Sequence, residues 1–233
     1  MGYRYLDTYY NKNKHDTYYN SGIGSDDDYP RKLCRYVFQK FGMQKSDVLL
    51  DAGCGRGEYV RGFNDLGLNA SGIDRENSGY DAELNIRSGF DIEKDRFPFD
   101  DDHFDFVFSK SVIAHLWNPD NFIKEIRRIL KPGGKIIITT PDWNSQMHIF
   151  YDDFTKVHPY TPVAVEKLLK TYGFSDARAD LFYTKPIFWE YPWLKIFSRL
   201  LQLFGPPKKI HKNQFIRWSR ELMVLGSGVK QIQ

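Results

Sequence analysis

Between residues 33 and 41 the apolar side chains Leu33, Tyr36, Val37 and Phe41 recur near helical spacing and the run stops at Gly42, which predicts a helix ending there. The period then changes. "DVLLDAG", residues 47–53, is a short continuous apolar run closed by glycine, the pattern of a strand buried on both faces of a parallel sheet. The alternation repeats: "VRGFNDLG" predicts a helix, "ASGID" a strand, and "HFDFVFSKS" a central strand. "PDNFIKEIRRILKPGG" predicts a helix with Phe122, Ile126, Ile129 and Leu130 on one face, Asn118 or Asp120 as cap, and Pro132-Gly133-Gly134 as its end. "KIIITTPD" follows as a strand, then irregular chain, a helix over "TPVAVEKLLKTYGF", and further strands near 177–184 and 219–225. Parallel neighbours need crossover connections, so strands alternating with helices predict an α/β fold with helices on both faces of a mostly parallel sheet.

A length of 233 residues suits one domain with a single large core. The net charge of +3, from 33 basic and 30 acidic residues, supplies no global field toward nucleic acid or an anionic membrane, so any such partner would need a local patch. Cys34 and Cys54 form neither a disulfide framework nor a metal-ligand spacing, and no metal site is expected. No run of about 18 apolar residues exists, and the polar, tyrosine-rich start lacks the apolar centre of a secretion signal. These features predict a cytoplasmic protein.

The chemistry begins in "LLDAGCGRGEY", residues 49–59. In an open parallel sheet, ligands bind beyond the carboxyl ends of the strands, where this loop leaves the first strand. Gly53, Gly55 and Gly57 allow positive φ and close approach of a ligand to the main-chain N–H groups. The spacing G-C-G-R-G is not the dinucleotide fingerprint, and Asp51 and Glu58 flank it, which suits a cationic or amine-bearing ligand rather than a pyrophosphate. Asp74 ends "SGID", where a carboxylate can accept ribose hydroxyls, and Asp91 follows the next expected strand, placed for a purine amine with Ile92 beside it. Read as packing alone, the same residues would be a tight turn, a helix cap and an acid in an acid-rich segment.

"VLLDAGCGRGEY", "GID", "FPFDDDHFDFVFSKSVIAHL" and "FIKEIRRILKPGGKIIITTPD" together resemble the class I S-adenosylmethionine-dependent methyltransferases over roughly residues 30–175. The resemblance implies a three-layer Rossmann-like sandwich with a mostly parallel seven-stranded sheet and an antiparallel last strand, and S-adenosyl-L-methionine as cofactor. It places Asp51 near the methionine amino group, Gly53 and Gly55 under the methionyl moiety, Asp74 on the ribose, Asp91 and Ile92 at adenine and Ser109 near the cofactor, with Cys54 and Arg75 also among the cofactor-binding residues. "TKVHPYTPVAVEKLLKTYGF" looks like a stretch common in small-molecule members, where histidine often stands at the position of Lys156 and arginine at that of His158.

A hydroxyl acceptor needs a general base, whereas an amine does not, and histidine titrates near neutrality. His115 and His158 are the candidates, each equally readable as a packing or loop-bonding residue. Residues 1–30 are expected to form a flap carrying Tyr5, Tyr9, Tyr10, Tyr18 and Tyr19, and 186–214 a helical insertion, as a lid, a dimer contact or a peripheral membrane element. The expected acceptor is a small molecule, with a sugar or sugar nucleotide first among candidates. An RNA methyltransferase and a cofactor-binding regulator without turnover are the alternatives, and no nucleic-acid partner is expected at this net charge.

Overall fold

A computed structural model of the protein describes residues 29–76, 83–196, 198 and 221–231. Helix α1 (Tyr29–Phe41) precedes β1 (Val48–Ala52), α2 (Glu58–Asn64), β2 (Asn69–Asp74), β3 (Ile86–Ser88) and β4 (Phe104–Lys110). After a 3₁₀ turn at Ile113–His115 come α3 (Asp120–Ile129), β5 (Leu130–Pro141), α4 (Trp143–Gln146), α5 (Pro162–Thr171), β6 (Phe174–Phe182), α6 (Ile187–Glu190) and β7 (Met223–Lys230). The seven strands form one sheet in the order β3-β2-β1-β4-β5-β7-β6. Six strands, β1 to β6, run in the same direction, and β7 runs antiparallel between β5 and β6.

Side-chain alternation sends the two faces of the sheet into separate cores. On one face Leu50, Ala52, Val107 and Ile138 pack with Phe122, Ile123 and Ile126 of α3 and Val165 and Leu169 of α5. On the other, Leu49, Phe106, Phe108 and Ile137 pack with Leu33 and Val37 of α1 and Val60 and Phe63 of α2. The result is the three-layer α/β sandwich expected. Cys34 and Cys54 are buried free thiols, and burial pushes both well above the ordinary thiol pKa. Among the described residues no helix is long and apolar enough to cross a membrane. The N-terminal flap and the insertion beyond Ile196, apart from Ser198, lie outside the described residues.

Two strand boundaries differ from the sequence expectation. Helix α3 ends at Ile129, and β5 begins at Leu130 instead of after the Pro-Gly-Gly, because Leu130 pairs with Phe104 and the register shifts before Lys135 pairs with Phe106. Gly134 permits this irregularity: a Cβ there would stand 2.9 Å from the Lys131 carbonyl oxygen, 3.0 Å from that of Phe104 and 3.1 Å from that of Asp105. Gly134→Ala should therefore cost about 1–3 kcal/mol, read as a midpoint lower by about 2–4 °C per kcal/mol in thermal unfolding. An unchanged midpoint would show that the irregularity relaxes freely. Strand β7 begins at Met223 and runs on through Gly226 and Gly228 to Lys230, past the 219–225 expected from the sequence. A Cβ at Gly226 would meet Val165 Cγ1 at 2.4 Å and one at Gly228 would meet Phe174 Cβ at 2.8 Å, so these glycines admit α5 and β6 against the strand.

Phe182, the last residue of β6, pairs with Met223, the first of β7, and Met223 pairs with Pro141 at the carboxyl end of β5. Immediately before Met223, the Leu222 carbonyl accepts from the Asp142 N–H at 3.0 Å and from Gln146 Nε2 at 2.6 Å. The chain thus leaves and rejoins the sheet on the rim where β1, β2, β4 and β5 end.

Candidate active site

The glycine loop between β1 and α2 takes the conformation its composition allows: Gly53, Gly55 and Gly57 have φ of 82°, 54° and 77°. At Gly53 a Cβ would collide with Val112 and at Gly57 with Ile86 and Leu84, whereas at Gly55 it would meet no protein atom within 4 Å. The loop amides behave differently from expectation. Gly53 and Cys54 N–H donate to the Ile73 carbonyl at 2.9 and 3.2 Å, Gly55 N–H to Asp74 Oδ2 at 2.8 Å, and Gly57 N–H to the Cys54 carbonyl at 2.9 Å. These four amides are satisfied within the protein, and of the three glycines Gly55 alone leaves open space where a Cβ would stand.

Of the three carboxylates expected at successive strand ends, Asp51 and Asp74 lie near one rim of the sheet, Asp51 pairing with Gly72 in β2 and Asp74 with Ser88 in β3, while Asp91 lies in the turn after β3. Asp51 is 1% exposed, and among the described residues its Oδ2 has no hydrogen-bond partner. Burial, reinforced by Asp74 and opposed by Lys110, pushes its carboxyl up to about 8. An unpartnered buried carboxylate oxygen is costly unless a ligand donor or cation completes it.

Asp74 is half-buried and has a second duty: besides Gly55, its Oδ1 accepts the Glu76 N–H at 3.1 Å. Asp74→Ala should weaken donor binding by about 1–3 kcal/mol, read calorimetrically, because the Gly55 N–H loses its acceptor along with any contact to the ligand. An unchanged dissociation constant would remove Asp74 from the site. Arg75 lies beside it, 3.8 Å from Glu76 Oε1. Asp91 organises its own turn, accepting from Lys94 Nζ at 2.7 Å and the Glu93 N–H at 3.1 Å, while Ile92 packs half-buried against the core and its carbonyl accepts from Asn121. Cys54 Sγ lies against Gly72. Ser109 is fully buried and its hydroxyl donates to the Ala52 carbonyl at 2.8 Å, tying β4 to the base of the glycine loop.

Lys110 was not singled out from sequence, although a lysine closing an apolar strand was the available signal. It is half-buried, with Nζ 5.4 Å from the centroid of the Tyr59 ring, and burial lowers its pKa against the raising influence of Asp51 and Glu58. At the end of β5, Thr139, Thr140 and Asp142 each keep a buried side-chain oxygen without a partner among the described residues. Asp142 also caps α4 by accepting the Ser145 N–H at 2.9 Å.

The two candidate histidines are brought together although 43 positions separate them. The N–H groups of Val157 and His158 both donate to the Ala114 carbonyl, at 2.8 and 3.1 Å, docking the 153–158 loop on the 3₁₀ turn that carries His115. His115 Nδ1 lies 2.9 Å from Thr155 Oγ1, and the Thr155 hydroxyl donates to Asp153 Oδ1 at 2.5 Å. Burial lowers the His115 pKa, Asp153 raises it, Lys156 lowers it further and the Thr155 backbone raises it, with a net lowering. His158 Nε2 lies 2.9 Å from the Trp117 carbonyl, which accepts only and so requires the proton on that nitrogen.

A family model described as a methyltransferase domain matches residues 26–178, more than half of the chain and the whole of the site just described. The chain belongs to the class I S-adenosylmethionine-dependent methyltransferase family. Its cofactor is S-adenosyl-L-methionine and it is an enzyme of that type. An uncharacterized protein of Methanocaldococcus jannaschii is 27% identical over 191 residues, 76% of each chain. The sterol 24-C-methyltransferase of Saccharomyces cerevisiae is 31% identical over 113 residues, 44% of this chain and 30% of that enzyme. Among solved structures, a chain of the complex between the Haloferax volcanii Trm112 methyltransferase activator and a methyltransferase superposes with a TM-score of 0.68 at 18% identity, covering 96% of this chain and 98% of that one.

The residues present fit the cofactor. An unpartnered buried carboxylate oxygen at Asp51 suits its ammonium, the open Cα surface at Gly55 admits close approach, and the Asp74 carboxylate can accept from hydroxyls.

Proposed function

We propose that the protein methylates a hydroxyl or amine of a small molecule, the hydroxyl being favoured because a half-buried histidine stands at the carboxyl end of β4. The observation that carries this reading is the His115–Thr155 contact beside the rim on which Asp51 and Asp74 sit. S-adenosylmethionine supplies an activated methyl group on a sulfonium, which needs alignment more than activation. Asp51 would hold the cofactor's ammonium, the tight turn at Gly53 and the open surface at Gly55 would shape its seat, Asp74 would accept from the ribose, and Asp91 with Ile92 would flank the base. Fixing the reacting groups can contribute about 7–11 kcal/mol. His115 takes the acceptor's proton as its oxygen becomes an ether, and the burial that lowers the histidine's pKa keeps the ring neutral near pH 7. His158, already donating to a carbonyl, shapes the loop that supports His115.

Trp117, Tyr151 and Phe154 are exposed aromatics in the two segments that meet at His115, and they support an acceptor with a flat or cyclic body such as a sugar or nucleotide-linked sugar. The test is methyl transfer from radiolabelled S-adenosylmethionine to nucleotide-linked sugars, small amines and RNA in parallel. Label in a small hydroxyl compound supports the proposal, and label in RNA alone overturns it.

A further inference from the structure

The loop contact also dictates which nitrogen of His115 bears the proton. A carboxylate only accepts hydrogen bonds. Asp153 Oδ1 accepts the Thr155 hydroxyl at 2.5 Å and the Thr155 N–H at 3.1 Å, so that hydroxyl has its single proton directed away from the histidine. What remains on Thr155 Oγ1 toward His115 is lone-pair density, and a contact of 2.9 Å can then be a hydrogen bond only if Nδ1 carries the hydrogen. The arrangement is well fixed. Thr155 is 3% exposed, Lys156 Nζ stands 3.8 Å from Asp153 Oδ2, and the Val157 and His158 amides clamp the loop to Ala114.

We infer that Asp153 and Thr155 are positioning residues that hold neutral His115 as its Nδ1–H tautomer, leaving the lone pair on Nε2 to receive the acceptor's proton. The inference deepens the reading of His115 as the base, and neither residue touches the acceptor or the cofactor in it. The relay orients the ring and selects the tautomer, while the proton taken at Nε2 leaves to solvent after transfer. The opposite tautomer would place a hydrogen on the nitrogen that must accept one. The charged groups acting on the ring are Asp153, which favours its protonation, and Lys156, which opposes it.

The test is a long-range proton–nitrogen NMR spectrum of the full-length protein labelled with ring-¹⁵N histidine, recorded in slightly alkaline buffer and assigned by comparison with His115→Ala. Wild-type protein should show the Nδ1–H pattern for His115, and Thr155→Ser should keep it. Thr155→Val, which has the same shape without the hydroxyl, should shift the ring toward the Nε2–H form as the majority species. Asp153→Ala should shift it in the same direction, because the freed hydroxyl can then donate to Nδ1. An Nε2–H pattern in the wild type, or one unchanged in both Thr155→Val and Asp153→Ala, would overturn the inference. If His115 is not a base, these spectra still follow the stated order while hydroxyl methylation survives His115→Ala, so the two readings fail separately.

Discussion

Replacing Asp51 with Asn should stabilise the ligand-free protein and nearly abolish its affinity for S-adenosylmethionine. The carboxyl is buried, pushed up to about 8, and holds an unpartnered oxygen. Because the folded-state value lies above the unfolded one, the group's contribution to stability is fully present below about pH 4 and is lost as pH rises through about 8. Asn carries no charge to bury. The variant's thermal midpoint should therefore match wild type near pH 4 and exceed it near pH 8 by about 1–3 kcal/mol, or about 2–4 °C per kcal/mol. Donor binding responds in the opposite sense. A cationic amine seated against Asp51 requires the carboxylate, so affinity should rise with pH up to about 8 and binding should release a proton, visible as different calorimetric heats in buffers of different ionisation enthalpy. Loss of the buried charge partner should cost about 3–5 kcal/mol, more than a hundredfold in Kd. Binding by Asp51→Asn within fivefold of wild type would mean that the ammonium sits elsewhere.

His115→Ala should reduce donor-saturated kcat on a hydroxyl acceptor by about 10²–10⁴-fold and leave the donor Kd unchanged. With an amine acceptor, presented as the free base, the loss should be far smaller. The pH profile sharpens the test. Since the histidine's pKa is lowered, the active neutral form predominates through pH 6.5, and donor-saturated kcat should fall only on the acid side of that value. Equal losses in kcat and donor affinity would show that the ring merely packs the turn.

The residues proposed for the donor side were legible because they are close in sequence or end predictable strands: Asp51 near the end of β1 and the three glycines of the loop that follows fall within seven consecutive positions, and Asp74 closes a short apolar strand. The orientation of the loop amides was not legible. Whether a glycine N–H faces a ligand or a neighbouring carbonyl depends on Ile73 and Asp74, which reach it only when β1 and β2 pair. The partner of Ser109, which the resemblance places near the cofactor, was likewise not legible, because its hydroxyl donates to the Ala52 carbonyl across the sheet, 57 positions away. On the acceptor side His115 and His158 carried a chemical signal by residue type. Thr155 and Asp153 carried none, because a threonine and an aspartate in a loop are ordinary until a contact spanning 40 positions gives them direction. The start of β5 was missed because Pro-Gly-Gly is strong turn chemistry, overridden here by pairing of Leu130 with Phe104.

The pairing of Phe182 with Met223, with Leu222 fastened beneath, gives the excursion between β6 and β7 two fixed neighbouring roots on the reactive rim. The first part of that excursion is itself fastened, since Trp189 stacks on Phe182 at the end of β6 and on Tyr36 of α1, so any exchange of this stretch has to keep that aromatic anchor.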